Sequence, residues 1–425
     1  MWTGKYKQKI KQTGYAKILT LRMSKKNKKP AKPHRILLQA VVDALSTIFN
    51  DQKYADKVIE KTLKENPKFG GRDRRFVAET TYDMVRQYRL LSYLADSETS
   101  YWEMLGVYFI LKYMPMPDER DFKNLDEKKI LDKYKALKDE KILQAYPDWL
   151  WTLGETELGK EEWEEQAKAL NKQAEVVLRV NTLKTKKEIL LKHLAEQEIE
   201  VEPLQDHKDA LVLLNRQNLF QNQLFKLGLF ELQDAGSQQI SEFLAPEAGM
   251  RVIDACAGGG GKSLHISALM QNKGQIISMD ITQWKLDELK KRARRAGAGN
   301  IEPRLIEGSK TIKRLENTAD RVLLDVPCSG MGVIKRNPDA KWKLNLEFIE
   351  RTKSLQQKIL NDYSGMTKIG GQLVYSTCSI LPSENRNQVD AFLANNKNFE
   401  LIKDRTILPS EGFDGFYMAQ IKRVK

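Results

Sequence analysis

Between residues 36 and 95 the apolar positions recur every three to four residues. Leu37, Val41, Ala44 and Ile48 form one stripe, and Phe76, Thr80, Met84 and Tyr88 form a second at i, i+4 spacing. That period belongs to helices with one buried face. Asn66-Pro67 and Gly70-Gly71 interrupt it, as helix breakers do. The pattern resumes over 101–148, with a loop at Pro115-Met116-Pro117 and a stop at Tyr146-Pro147, so 36–150 is expected to be all-α. Near residue 171 the period changes. Residues 176–181 read as a strand, 190–194 as a short helix, and Val201 and 211–214 as further strands. A linker helix and a small α+β module are therefore expected over 151–236. From 237 to 425 strands alternate with helices. Strands fit 251–256, 275–280, 301–306, 321–326 and 371–377; helices fit 262–272, 282–297, 346–368 and 383–395. Two last strands lie near 399–402 and 416–423. Such alternation predicts an α/β fold with a mostly parallel, doubly wound sheet.

Length and composition agree with this division. The chain has 425 residues, room for two or three domains, and its 41% apolar content can fill their cores. No run of about 18 apolar residues occurs, so no membrane span is expected. The first residues lack the apolar centre of a signal peptide. Three widely spaced cysteines do not make a disulfide framework, and reduced thiols suit a cytoplasmic location. The histidines, His34, His193, His207 and His265, are scattered, and no metal site is expected. The net charge is +14, yet residues 1–35 hold twelve Lys or Arg and no Asp or Glu. This segment reads as a disordered basic arm suited to phosphates. A solubilising tail fits the same composition, and Met23-Ser24-Lys25-Lys26 reads as an alternative beginning. Arg72, Arg74, Arg75, Arg86 and Arg89 could face RNA or line a solvated helix face.

The chemistry gathers at strand ends. Arg251-Val252-Ile253-Asp254-Ala255-Cys256 runs into Ala257-Gly258-Gly259-Gly260-Gly261-Lys262-Ser263 and then a helix. Glycines there let a ligand approach the backbone, and the helix start presents free N–H groups. Asp280, closing the next strand, is placed for ribose hydroxyls. A nucleotide hydrolase would explain Gly261-Lys262-Ser263 and the strand ending in Asp325. Its phosphate loop, however, needs glycine where Cys256 stands. S-adenosylmethionine carries no phosphate, and a glycine loop with Asp280 suffices for it. Lys262 could meet that cofactor's carboxylate or simply occupy the first helical turn. Trp284 could line an adenine pocket or the core.

Two Cys-Ser dipeptides follow buried strands: Asp325-Val326-Pro327-Cys328-Ser329-Gly330 and Ser376-Thr377-Cys378-Ser379. In open parallel sheets ligands bind beyond the carboxyl ends of strands. Carbon 5 of cytosine is a poor nucleophile. A thiolate adding to carbon 6 activates carbon 5 toward a sulfonium methyl. An acid near ring nitrogen 3, Asp325 in a protonated or proton-sharing state, would stabilise the adduct. A second thiol could assist release.

These motifs, with Glu384-Asn385 after the second and Lys335-Arg336-Asn337-Pro338-Asp339 and Lys341-Trp342 after the first, resemble RNA 5-methylcytosine methyltransferases of the Sun/Nop2 type. The similarity spans about 175–425, and the glycine run resembles their cofactor loop. The helical N-terminal part resembles the NusB-type RNA-binding domain of the RsmB branch, which acts on small-subunit (16S) ribosomal RNA. The resemblance implies a Rossmann-like class I methyltransferase domain over 237–425, a NusB-like domain over 36–150, and S-adenosylmethionine as cofactor. It implies Cys378 as nucleophile, Cys328 as the release thiol and Asp325 as their acidic partner. It implies cofactor contacts from Cys256 to Lys262 and from Asp280, Asp325 and Glu307, with Ser309 as the alternative to Glu307. Lys335 and Arg336 are expected to meet RNA phosphates; Arg179 and Asn181 resemble a turn near the active site and are expected at RNA too, with a structural role as the alternative. The expected partner is RNA, ribosomal before transfer RNA, and the expected state a monomer. A non-catalytic RNA-binding assembly factor is the rival from another class.

Overall fold

A computed structural model describes residues 32–425; residues 1–31, most of the basic arm, lie outside the described residues. The chain divides into two compact units. One comprises residues 32–53, 57–84 and 90–138 and is built from helices. The first expected stripe is its inner face: Leu37, Val41, Ala44 and Ile48 are all buried in the helix Arg35–Phe49. Asn66-Pro67 falls just after the helix Ala55–Glu65, and Gly71 opens the helix Gly71–Arg86. The helix Tyr101–Leu111 is apolar on every side and buries Tyr101, Met104, Leu105, Tyr108 and Phe109, as a central bundle helix must.

The second unit holds residues 54–56, 85–89 and 139–425. Its boundary falls at 138/139, not at the expected 150. The helices Asp148–Leu158 and Lys160–Leu170 belong to it because their aromatic faces are buried there. Tyr146, Trp151 and Trp163 stack edge to face at 5.3–6.0 Å. They pack with Met331, Ile334, Ile380 and Leu381, residues that follow the two Cys-Ser dipeptides.

Four short strands form an antiparallel sheet in the order β2-β3-β1-β4: β1 (Val177–Val180), β2 (Val201–Pro203), β3 (Ala210–Leu213) and β4 (Phe230–Leu232). The larger sheet has seven strands: β5 (Arg251–Asp254), β6 (Gln275–Asp280), β7 (Ile301–Leu305), β8 (Ala319–Asp325), β9 (Thr367–Thr377), β10 (Phe399–Ile407) and β11 (Phe416–Arg423). Their order is β10-β11-β9-β8-β5-β6-β7. β5 to β9 run parallel, and β11 is antiparallel between β9 and β10. The strand order reverses between β5 and β8, and the crevice at such a switch point is where these sheets bind ligands.

Some expected elements change. The helix starting at Leu346 stops at Tyr363 rather than 368, and β9 begins at Thr367. Gly370-Gly371 lies within that strand, where Gly371 faces the backbone oxygens of Lys368, Ala319 and Asp320 at 2.9–3.1 Å from a built Cβ. β10 runs five residues past 402, since pairing with β11 continues to Ile407. The helix Ala235–Phe243, capped by the Asp234 side chain on Gly236 N–H, was not anticipated. Among the described residues, no helix is long and apolar enough to cross a membrane.

Candidate active site

Register brings the two thiols together. β8 and β9 pair with Asp325 opposite Ser376, so the loops after them leave the sheet side by side. Cys328 Sγ and Cys378 Sγ lie 3.2 Å apart as free thiols. Lys262 reaches over from the start of the helix Gly261–Leu269, with Nζ 2.5 Å from Asp325 Oδ2. Ser376 Oγ donates to Asp325 Oδ1 at 3.0 Å. One rim thus carries two thiols, an ammonium and a carboxylate. Asp325 faces a cation and a hydroxyl donor.

The electrostatics separate the three cysteines. The Cys328 thiol is pushed well up by its bond to Cys378, then by burial and the charges of Cys378 and Glu384. Burial works against the Lys262 ammonium, yet Asp325 and Cys378 outweigh it and hold the proton on. Burial, then Asp254, Asp325 and Asp280, push the Cys256 thiol far up, which leaves it unreactive.

The glycine loop is shaped for close approach. Gly260 caps the helix with φ +81°, and a Cβ there would lie 2.5 Å from Leu289 Cγ. A Cβ on Gly258 would meet no atom within 4 Å, so the loop's front is open. Asp280 at the end of β6 is buried; it accepts Gly258 N–H at 3.1 Å and Thr282 N–H at 2.8 Å. Beside it, Ile281 and Trp284 are 73% and 69% exposed, so Trp284 is not a core residue. These features fit a ligand with a ribose and a flat ring. Glu307 and Ser309 stand exposed beyond β7.

Four residues expected at RNA have other work. Lys335 is buried, its Nζ donates to Pro409 O (2.8 Å) and Phe413 O (2.7 Å), and burial pushes it down to about 8. Arg336 is bound by Asp414 (2.5 Å) and Asp234 (2.8 Å). Both brace the segment after Cys328 instead of presenting charge to phosphates. Arg179, 2% exposed, donates to Gly261 O at 2.9 Å and so holds the start of the helix after the glycine loop. Asn181 Nδ2 bonds Gly228 O and Ala296 O. Periodicity and charge could not reveal this, because neither reports burial. A cavity of about 490 Å³ lined by Thr182, Lys208, Asp209 and Leu269 lies at the other end of that helix, away from the thiols.

Comparison with known proteins fits this geometry. Residues 241–422 match the 16S rRNA methyltransferase RsmB/F family, and residues 146–219 match its ferredoxin-like domain. The "Probable ribosomal RNA small subunit methyltransferase B" of Synechocystis sp. is 30% identical over 439 residues, covering 89% of this chain and 97% of that protein. The chain belongs to the RsmB family of small-subunit ribosomal RNA methyltransferases. Among solved structures, that of PH0851 superposes on this methyltransferase with a TM-score of 0.79 at 23% identity, over 93% of this chain and all of the other. A methyltransferase homologue from Pyrococcus horikoshii gives 0.60 at 26% identity, over 67% of this chain and 98% of its own.

Proposed function

We propose that the protein methylates carbon 5 of a cytosine in small-subunit ribosomal RNA, using S-adenosylmethionine and a covalent Cys378–carbon 6 bond. The observation that carries this reading is the 3.2 Å contact between Cys328 and Cys378 beside the Lys262–Asp325 pair. A methyltransferase acting on ring nitrogens or ribose hydroxyls has no use for two touching thiols.

The Gly258–Gly261 loop, Asp280 and the exposed Trp284 would hold the cofactor, Asp280 on the ribose hydroxyls. Bound there, the cofactor supplies an electrophilic methyl. The Cys378 sulfur adds to carbon 6 as the thiolate, and the ring's π electrons move toward carbon 5. Asp325 and Lys262 face the ring edge where charge builds. After methyl transfer, a base must take the carbon 5 proton; the electron pair then restores the ring double bond and expels Cys378. Cys328 suits that step. The largest influence holding its proton is the bond to Cys378, and that partner is neutralised once it becomes a thioether. Cys328 is then free to ionise when a base is required. The target base must leave its stack to reach this rim, which an exposed loop in RNA permits at low cost.

The test is transfer from labelled S-adenosylmethionine to unmodified small-subunit ribosomal RNA by the native protein, Cys378→Ala and Cys328→Ala. Label on cytosine carbon 5, lost in Cys378→Ala and replaced by a stable protein–RNA adduct in Cys328→Ala, supports the reading. A dead Cys328→Ala with no adduct, alongside an active Cys378→Ala, reverses the two thiols. RNA binding with no transfer by the native protein overturns the catalytic reading.

A further inference from the structure

Each reactive cysteine is held by both of its chain neighbours, and the two grips meet at adjacent residues. Glu384, in the turn Pro382–Glu384, has 0% exposure. Its Oε1 accepts Ser329 N–H at 2.8 Å and Gln356 Nε2 at 3.1 Å, and its Oε2 accepts Ser329 Oγ at 2.5 Å. Gln356 also donates to Pro327 O at 2.9 Å. Cys328 is therefore fixed from Pro327 and from Ser329. Asn385 is likewise buried. Its Oδ1 accepts Thr377 Oγ1 at 2.5 Å and its Nδ2 donates to Ser379 O at 2.9 Å. Cys378 is fixed from Thr377 and from Ser379.

A carboxylate buried without a cation is a costly way to hold a loop. Glu384 has no ion pair among the described residues, and its charge is met by three donors instead. Two of these come from Ser329, and the third, Gln356, is itself tied to Pro327. An apolar residue could pack this turn, so the charge calls for a use. It lies beside Cys328 and opposes ionisation of that thiol.

We propose that Glu384-Asn385 is a two-sided positioning pair, in which Asn385 sets the thiol that forms the covalent bond and Glu384 sets the thiol that resolves it. This rests on the reading of Cys378 and Cys328 given above. Neither side chain touches substrate in this scheme. Asn385 governs the S–C6 bond-forming step through Thr377 and Ser379. Glu384 governs loss of the carbon 5 proton and expulsion of Cys378 through Ser329.

The experiment follows two signals in the full-length protein with unmodified small-subunit ribosomal RNA and labelled S-adenosylmethionine. These are denaturant-stable protein–RNA adduct and released methylated RNA, each in a single turnover. Asn385→Ala is expected to slow adduct formation about 10- to 100-fold, the rate equivalent of the two lost hydrogen bonds to Thr377 and Ser379, and to accumulate none. Glu384→Ala is expected to form adduct within about threefold of the native rate but release it about tenfold more slowly, so that adduct accumulates. Glu384→Gln keeps the shape and most of the hydrogen bonds but removes the charge. It is expected to restore release and to move the pH dependence of adduct decay to lower pH, because Cys328 ionises more easily. If Glu384→Ala does not fold, the pH displacement in Glu384→Gln still decides. The proposal is overturned if Asn385→Ala and Glu384→Ala slow both steps in the same proportion, or if Glu384→Gln leaves the decay profile unmoved. Failure of the underlying thiol assignment would show separately, as an active Cys378→Ala.

Discussion

Gly332 offers a direct way to disturb the thiol pair without touching either sulfur. It sits in the turn Met331–Val333, four residues after Cys328. Its N–H donates to Cys378 O at 2.9 Å, and its carbonyl accepts Gly415 N–H at 2.8 Å. A Cβ built on it would lie 2.1 Å from Gly415 O and 2.9 Å from Cys378 O. Both are backbone oxygens, so no rotamer change can make room. Contacts below 3.0 Å are essentially never seen for a real Cβ, so in Gly332→Ala the turn must retreat by about 1 Å from a closely packed neighbour. Overpacking of this kind costs about 1–3 kcal/mol of stability. The larger effect is expected in catalysis, since a displacement of about 1 Å in a reacting group lowers rate about 10²-fold. The bond to Cys378 O links the two cysteine loops, and it is the one strained. The assay is single-turnover methyl transfer beside denaturant unfolding. Expected are a modest loss of stability and about a 100-fold loss of rate. A Gly332→Ala protein that methylates within threefold of native would refute the claim that the loop contact sets the thiol geometry.

Other outcomes follow from the same coordinates. Peroxide should join Cys328 and Cys378, two thiols losing two hydrogens to give a disulfide and water, with activity lost and then restored by dithiothreitol; peptide mass mapping that finds both thiols still reduced argues against their 3.2 Å contact. Burial pushes the Asp254 carboxyl up to about 6. A group that holds its proton more tightly when folded adds stability below about pH 4 and loses it as pH rises through about 6. Asp254→Asn should therefore exceed native stability at pH 8 by up to about 3 kcal/mol, and unfolding curves with the same gap at pH 4 and pH 8 would count against this. Trp163 has 0% exposure and stacks on Tyr146 and Trp151. Trp163→Ala should cost about 3–5 kcal/mol, read by denaturant unfolding, and a loss below 1 kcal/mol would place these helices outside the core.

The sequence by itself determined the fold class, the strand-end position of Cys256, Asp280, Cys328 and Cys378, and the glycine loop. Those are local properties: a period of apolar residues, a run of glycines and a motif after a strand need no knowledge of distant neighbours. The apolar stripe of Leu37 to Ile48 was legible for the same reason. What lies far apart in the chain was not. Only the pairing of β8 with β9 decided that residues 50 positions apart place two sulfurs in contact. Only packing decided that Lys335, Arg336, Arg179 and Asn181 act as internal braces, since a cation or a side-chain amide reads alike in sequence whether it meets a phosphate or a buried carbonyl. Glu384-Asn385 was visible as part of a motif, but its grip on both loops appears only in three dimensions. The boundary at 138/139 was set by the stacking of Tyr146, Trp151 and Trp163 beside Met331 and Ile380. Periodicity shows that a helix face is buried; tertiary contact alone shows what buries it.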